Sequence, residues 1–266
     1  MFLIEGEKRA LLVDAGIGIG DLKTFAQELV QKPLDVFLTH NHRDHVGNAA
    51  LFPRVYMSEV DMGMGPVVRP LTSAASRLDY TKHILKRYPD RDYPWTKEDV
   101  KDFSVEEEPE VIPLKDGDSF DLGGRTVSCY LCPGHTPGSM VAIDSRTKYL
   151  FAGDACNYFQ GIGVRPIQGM RHASIEEAHE ALLRIWNMDF DREHIYNAHA
   201  DYRQWGSPLP SQVFEKLIEA MSLILAGNYV GSRQWIQMID TDVDTAVLDD
   251  VTIQFHSDNI YRKQGA

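Results

Sequence analysis

Short apolar runs of strand length alternate along the chain with longer stretches of helical spacing. Near the start, FLI (2–4), ALLVD (10–14) and DVFLT (35–39) have the length and composition of strands. Between the last two, DLKTFAQELVQ sets Leu22, Phe25, Ala26, Leu29 and Val30 at i, i+3, i+4, i+7 and i+8, the pattern of an amphipathic helix. The pattern weakens over 55–110, a polar and aromatic stretch that predicts one helix near 72–87, broken at Pro89. Residues around 58–110 therefore read as an insertion or lid over one face. Strand signals return at SFDL, RTVSCYL, SMVAID and KYLFAG. Ser174 and Glu177 spell a capping box for IEEAHEALLRIWNM. Ser211 is expected to cap QVFEKLIEAMSLILAG, with Val213, Phe214, Leu217, Ile218, Met221 and Leu225 on one face and Gly227 ending it. VTIQF (251–255) is the last predicted strand. No repeat or linker interrupts this order, so residues 1–266 are expected to form a single α/β domain of packed sheets covered by helices.

Composition narrows the function. With 43% hydrophobic and 25% charged residues, the 266-residue chain reads as a soluble globular protein. Its net charge of −12 argues against a nucleic-acid partner and against an anionic membrane surface. No apolar run reaches the roughly 18 residues of a membrane span. The opening MFLIEGEKRA meets Glu5 too early for a signal peptide, and three cysteines fit a reducing cytoplasm. CYLC, Cys129 to Cys132, matches C-x-x-C but falls in a predicted strand, where it reads as two half-buried cysteines and not as a redox pair. GIGIG (16–20), followed by Asp, departs from G-x-G-x-x-G and reads as a turn into a helix.

The chemistry concentrates in VFLTHNHRDHVGN. His40, His42, Asp44 and His45 follow directly on a strand, and imidazole and carboxylate are the ligands zinc prefers. In an extended segment His40 and His42 point to the same side, while Asp44 and His45 stand at the entry to a helix. Further along, LCPGHTPGS places His135 in a turn, YLFAGDACN ends a strand at Asp154, and IYNAHADY ends another near His199. Each candidate ligand follows an apolar run, as a shared rim of ligands would require. The remaining histidines, His83, His179, His194 and His256, read as surface or structural residues.

The order H-x-H-x-D-H, His, Asp, His resembles the signature of the metallo-β-lactamase-fold hydrolases, and the resemblance extends over nearly the whole chain. It implies a four-layer αββα sandwich of two mixed β-sheets flanked by helices. It also implies that His40, His42 and His135 bind one metal, that Asp44, His45 and His199 bind a second, and that Asp154 bridges them. Two Zn2+ are expected, with Fe or Mn as alternatives. A metal-bridging hydroxide would attack a substrate carbonyl or phosphorus, with Asp44 carrying the proton to the leaving group.

Asp154 as a bridging carboxylate is similar to glyoxalase II, lactonase and phosphodiesterase relatives, so an ester, thioester or lactone ranks ahead of a phosphodiester or β-lactam. Lactonases carry a Tyr shortly after the bridging Asp; here the match is shifted by one, which makes Tyr158 the candidate for carbonyl polarisation. The glutathione-holding residues of glyoxalase II have no match in this tail. Arg165 and Arg171 could each fork onto a carboxylate or phosphate, or lie on the surface. His172 is a candidate for the pocket lining. Tyr88, Tyr93 and Trp95 suit either an aromatic lid over a small-molecule substrate or the contact of a homodimer. Cys156 reads as a buried small residue ahead of a soft ligand. The oxidoreductase alternative rests on flavodiiron proteins and persulfide dioxygenases, which share the fold. The former have a carboxylate where this chain has His42, and the latter use one iron. Relatives usually place a strand or two before the first one here, so either this form lacks that edge strand or the chain begins short, and an uncovered edge would invite pairing.

Overall fold

The computed structural model describes residues 1–62, 74–87, 96, 98, 109–164, 172–199, 206–236 and 241–263. Backbone contacts gather the chain into two compact units, one holding Met1–Leu114 and Ser119–Thr126, the other Lys115–Asp118 and Val127–Ala266.

The first unit is built on β1 (Phe2–Glu5), β2 (Ala10–Val13), β3 (Leu34–Phe37), β4 (Arg54–Ser58) and β5 (Glu110–Leu114), which lie side by side in sequence order. β1 and β2 form an antiparallel hairpin, and β2 through β5 run parallel. β2 is buried along its whole length, as a parallel strand covered on both faces should be. Helix α1 (Leu22–Leu29) crosses between β2 and β3, started by Asp21, whose side chain accepts from the Thr24 N–H at 3.0 Å. The short helices α2 (Arg43–Val46) and α3 (Glu59–Met62) follow β3 and β4, α4 (Ala74–Arg87) falls where a helix was expected near 72–87, and β6 (Ser119–Asp121) closes the unit. Leu12, Leu22, Val36, Leu38, Val46 and Phe52 share one core.

The apolar face expected of α1 is only partly covered. Leu22, Ala26 and Val30 are buried, whereas Phe25 and Leu29 are 59% and 60% exposed. Residues four apart make one row along a helix, and the row holding Phe25 and Leu29 turns past the packed side into solvent.

The second unit holds β7 (Thr126–Leu131), β8 (Met140–Asp144), β9 (Leu150–Gly153) and β11 (Ile195–Asn197) in one sheet, ordered β11-β9-β8-β7. Another sheet holds β10 (Phe159–Ile162), β12 (Gly231–Ile236), β13 (Thr241–Leu248) and β14 (Val251–Phe255), ordered β10-β14-β13-β12. Both are mixed, since β9–β11 and β10–β14 pair parallel and the other pairs antiparallel. Helices α5 (Ile175–Trp186) and α6 (Ser211–Leu225) share a core with these strands that includes Val141, Leu150, Ile185, Phe214, Ile253 and Phe255. The capping box at Ser174 and Glu177 forms as the sequence predicts, with both reciprocal hydrogen bonds. The cap of α6 differs. Ser211 is already the first helical residue, Pro210 occupies the cap, and no side chain bonds there. Proline's fixed φ and missing N–H suit a helix start, so the hydroxyl is not needed.

β4, β5, β10, β12 and β13 carry no clear strand signal in the sequence. β5 contains Pro113, tolerated because the strand is at a sheet edge. β13 buries Asp244 and Thr245, which blurs its alternation, and the Asp244 carboxylate accepts from the Ser257 N–H at 3.1 Å.

The two cysteines of CYLC are fully buried rather than half-buried, and they are unbonded. Burial pushes the Cys129 thiol far up and the Cys132 thiol up to about 12, which holds both protonated and inert.

Candidate metal centre

In the first unit the chain leaves β3 and bends through Thr39–Asn41 into α2, delivering His40, His42, Asp44 and His45 in six residues. The three imidazoles converge. His40 Nε2 lies 3.1 Å from His42 Nδ1, and the His40 and His45 ring centres are 3.9 Å apart. Asp44 follows at the first turn of α2, its carboxylate 3.9 Å from His45 Nε2. His40 and His45 are fully buried.

The glycines on either side of this motif explain how a buried bend is held. Gly47 N–H donates to the Gly16 carbonyl at 2.7 Å, and Ala15 N–H donates to the His45 carbonyl at 2.6 Å. A Cβ on Gly47 would meet the Gly18 nitrogen at 2.2 Å, so the two backbones touch where no side chain fits. GIGIG is thus the bed of α2, and Gly16, Gly18 and Gly20 all adopt the left-handed φ that favours glycine.

Buried carboxylates from outside the motif brace it. The Asp61 side chain of α3 accepts from the Asn41 N–H at 3.0 Å. Asp14 ends β2 and accepts from the Thr39 N–H at 2.8 Å, while its other oxygen lies 2.9 Å from His45 Nδ1. Neither was singled out from sequence as a site residue. The available signal was a carboxylate closing the apolar run ALLVD immediately before a glycine-rich turn.

In the second unit three strand ends supply the other candidates. His135 sits in the turn from β7 to β8, fixed by Thr136 N–H donating to Ser139 Oγ at 3.0 Å. Gly134 leans on α5, where an added Cβ would come within 3.1 Å of Ala178. Asp154 follows β9, and its buried carboxylate stands 3.4 Å from His135 Nε2 and 3.0 Å from His199 Nε2 through the same oxygen. Its backbone carbonyl accepts from Gln160 Nε2 at 2.8 Å. His199 follows β11, tied to the Asp154 turn by Ala198 N–H donating to the Gly153 carbonyl at 3.1 Å.

The remaining candidates are placed less closely. Tyr158 is half-buried against the core, and its carbonyl accepts from the Thr252 N–H at 2.8 Å. Cys156 is fully buried. His172 has its pKa lowered, first by burial and then by nearby His256 and Lys263, with Asp258 opposing. Arg165, Arg171, Tyr88, Tyr93 and Trp95 lie outside the described residues. His179 meets Ser222 Oγ at 2.8 Å, and His194 meets the Asp191 carboxylate at 2.7 Å, both structural contacts.

Sets of these histidines and aspartates could hold a metal ion. The chain belongs to the metallo-beta-lactamase superfamily, whose family model matches residues 1–199. It is similar to a human protein named acyl-coenzyme A thioesterase MBLAC2, at 24% identity over 58% of this chain and 57% of that one, so it spans little more than half the relative's length. It is also 25% identical to the probable polyketide biosynthesis zinc-dependent hydrolase BaeB of Bacillus velezensis, over 77% of this chain and 73% of that protein. Among solved structures, the metallo-beta-lactamase family protein TTHA1429 of Thermus thermophilus superimposes with a TM-score of 0.55 at 20% identity, covering 85% of this chain and 75% of that one. This likeness shows the metallo-β-lactamase fold, the α/β sandwich expected from the motif.

Proposed function

We propose that the protein is a binuclear zinc hydrolase of carbonyl substrates, with a small-molecule thioester ahead of an ester or lactone. In this reading His40, His42 and His135 would hold one ion, Asp44, His45 and His199 would hold the other, and Asp154 would serve both. The observation that carries it is the seat of Asp154. His135 and His199 belong to different ions in this assignment, and a single carboxylate oxygen stands 3.4 and 3.0 Å from their ring nitrogens. A residue that bridges two ions has to be so placed. The donor set of imidazoles and carboxylates fits zinc.

Bound zinc supplies Lewis acidity and a water activated near neutral pH. The chain's own groups do the rest. Asp44, with its side chain 27% exposed beside buried His45, carries the proton to the leaving group. Tyr158 polarises the substrate carbonyl. The preference for a thioester rests on the relative named as a thioesterase, and zinc on the relative named as zinc-dependent. No helix among the described residues is long and apolar enough to cross a membrane, and the buried, unbonded cysteines support a reducing compartment such as the cytoplasm.

Metal analysis joined to a panel of acyl thioester, ester, lactone, phosphodiester and β-lactam substrates tests the reading. Two zinc ions per chain and thioester turnover that chelation removes and zinc restores are expected. A single iron with oxygen-dependent turnover would overturn it in favour of an oxidoreductase.

A further inference from the structure

We infer that β12 is a dimerisation edge. Two copies of the chain pair their β12 strands antiparallel about a two-fold axis at Gln234, with Arg233 of each copy opposite Trp235 of the other. The pairing involves only the second unit and does not depend on the metal-site reading.

β12 ends its sheet, and among the described residues no strand pairs with its outer side. Five of its six residues are exposed, and Ile236 is half-buried. Edge strands are normally blunted by lysine, proline, a bulge or shortness, because their unpaired N–H and C=O groups invite another strand. β5, at an edge in the first unit, carries Pro113 in this way. β12 has no such guard. It runs against β13 in unbroken register, from Gly231 opposite Ala246 to Ile236 opposite Thr241.

One hydrogen bond tells which groups point outward. Val247 N–H donates to the Val230 carbonyl at 2.9 Å, so these opposed residues form a hydrogen-bonded pair. The alternation then turns the N–H and C=O of Ser232, Gln234 and Ile236 toward β13, and those of Gly231, Arg233 and Trp235 outward. A second β12 can bond only by setting outward residues opposite outward residues. An axis at Arg233 would oppose that residue to its own copy, like charge against like. An axis at Gln234 sets Arg233 opposite Trp235 on both sides, a cation beside an aromatic face. Larger shifts leave much of the strand unpaired. Charge favours the same register. Trp235 lies opposite Asp242 in its own sheet, and Arg233 stands 3.8 Å from that Asp242. Across the Trp235 ring of the second copy, Arg233 would approach the second copy's Asp242 as well. Both Arg233 and Trp235 are more than half exposed, so each can reach a second copy.

Sedimentation velocity of the full chain over a concentration series reads the oligomeric state, and disulfide trapping reads the register. The native chain is expected to pass from monomer to dimer as concentration rises. Gln234→Cys should cross-link two copies on air oxidation, because opposed residues of a non-hydrogen-bonded pair sit about 4.5 Å apart, within disulfide reach. Ser232→Cys, which falls opposite Ile236 and not its own copy, should not. The native thiols are buried and stay out of the reaction. Trp235→Arg should weaken the dimer roughly tenfold by opposing Arg233 with a like charge, and adding Arg233→Trp should restore it. Arg233→Pro should abolish pairing while keeping the ladder to β13, since the lost N–H points outward. A chain that stays monomeric at the highest concentration it tolerates would overturn the inference and leave the edge to a strand of another protein. So would a dimer indifferent to Trp235→Arg, or Ser232→Cys cross-linking as readily as Gln234→Cys. If Arg233→Pro does not fold, the two cysteine variants decide the register.

Discussion

The two sets of candidate ligands are built by different means. In the first unit four ligands come from six consecutive residues, and the folding problem is to bend one short segment sharply and bury it. Backbone contact between Gly47 and Gly18, the Asp61 clamp on Asn41 and the Asp14 clamp on His45 solve that problem. In the second unit three ligands arrive from three strand ends, and the problem is to bring distant segments to one place. There the sheet does the work, and Asp154 is the shared contact. The His45 side chain is 2% exposed, against 20% for His135 and 43% for His199. A contiguous motif is braced from behind along one short segment, whereas an assembled one depends on every strand end that delivers a member. The first set should therefore tolerate loss of any one brace better than the second tolerates loss of Asp154.

The sharpest way to break this contrast is to compare Asp154→Asn with His40→Ala combined with Asp44→Asn. Both should lower hydrolysis by more than the roughly 100-fold ceiling for an outer-shell change. Metal counts should separate them, because Asp154→Asn is expected to affect both ions and to let His135 and His199 drift. Elemental analysis with imidazole NMR would read this out. Unchanged metal content and turnover in the double variant would sink the assignment altogether.

A smaller effect probes how the second set is backed. Helix α5 supports the His135 turn through Ala178 behind Gly134, and its start depends on the capping box of Ser174 and Glu177. Ser174→Ala should cost about 1 kcal/mol of stability, measured by denaturant unfolding. The ring signals of His135 should broaden while those of His40 stay sharp. Equal broadening of both would erase the distinction between the sets.

The smallest effect is electrostatic. Arg184 on α5 forks onto Asp116 at 2.6 and 2.9 Å and holds that carboxyl below the ordinary carboxylate range. A carboxyl with a lowered folded pKa stabilises the fold above its unfolded value near ~3.9, and that contribution is lost as pH falls through the lowered folded value. Both side chains are about two-fifths exposed, at 41% and 40%, so screening keeps the effect small. Arg184→Met should flatten stability against pH only in that acidic window, seen as converging melting temperatures below pH 4. A difference persisting unchanged to pH 2 would point to packing of the arginine stem instead.

The uneven legibility of the sequence has the same physical root. H-x-H-x-D-H is readable because its ligands are adjacent, and the strands that deliver them are apolar runs. The later ligands, His135, Asp154 and His199, could be ordered by motif, but nothing local says that one oxygen of Asp154 meets both rings. Helices α1, α5 and α6 were legible by period, yet the period of α1 does not reveal that Phe25 and Leu29 stay in water. β4, β10, β12 and β13 were missed because glycine, buried aspartate and exposed polar faces disturb the alternation on which strand reading depends. Asp14 and Thr39 were hidden for another reason. Their part in the bend is a contact between the end of one strand and the end of another, and spacing along the chain carries no trace of that.

The sealed thiols of Cys129, Cys132 and Cys156 give the chain an internal clock. Since no cysteine meets solvent in the native state, a thiol-reactive dye can enter only when the second unit opens. Under fast labelling its rate reports the opening rate itself, and under slow labelling the equilibrium between closed and open forms. The molecule thus carries a built-in gauge of how often the scaffold beneath His135 and Asp154 comes apart, readable without any knowledge of the substrate.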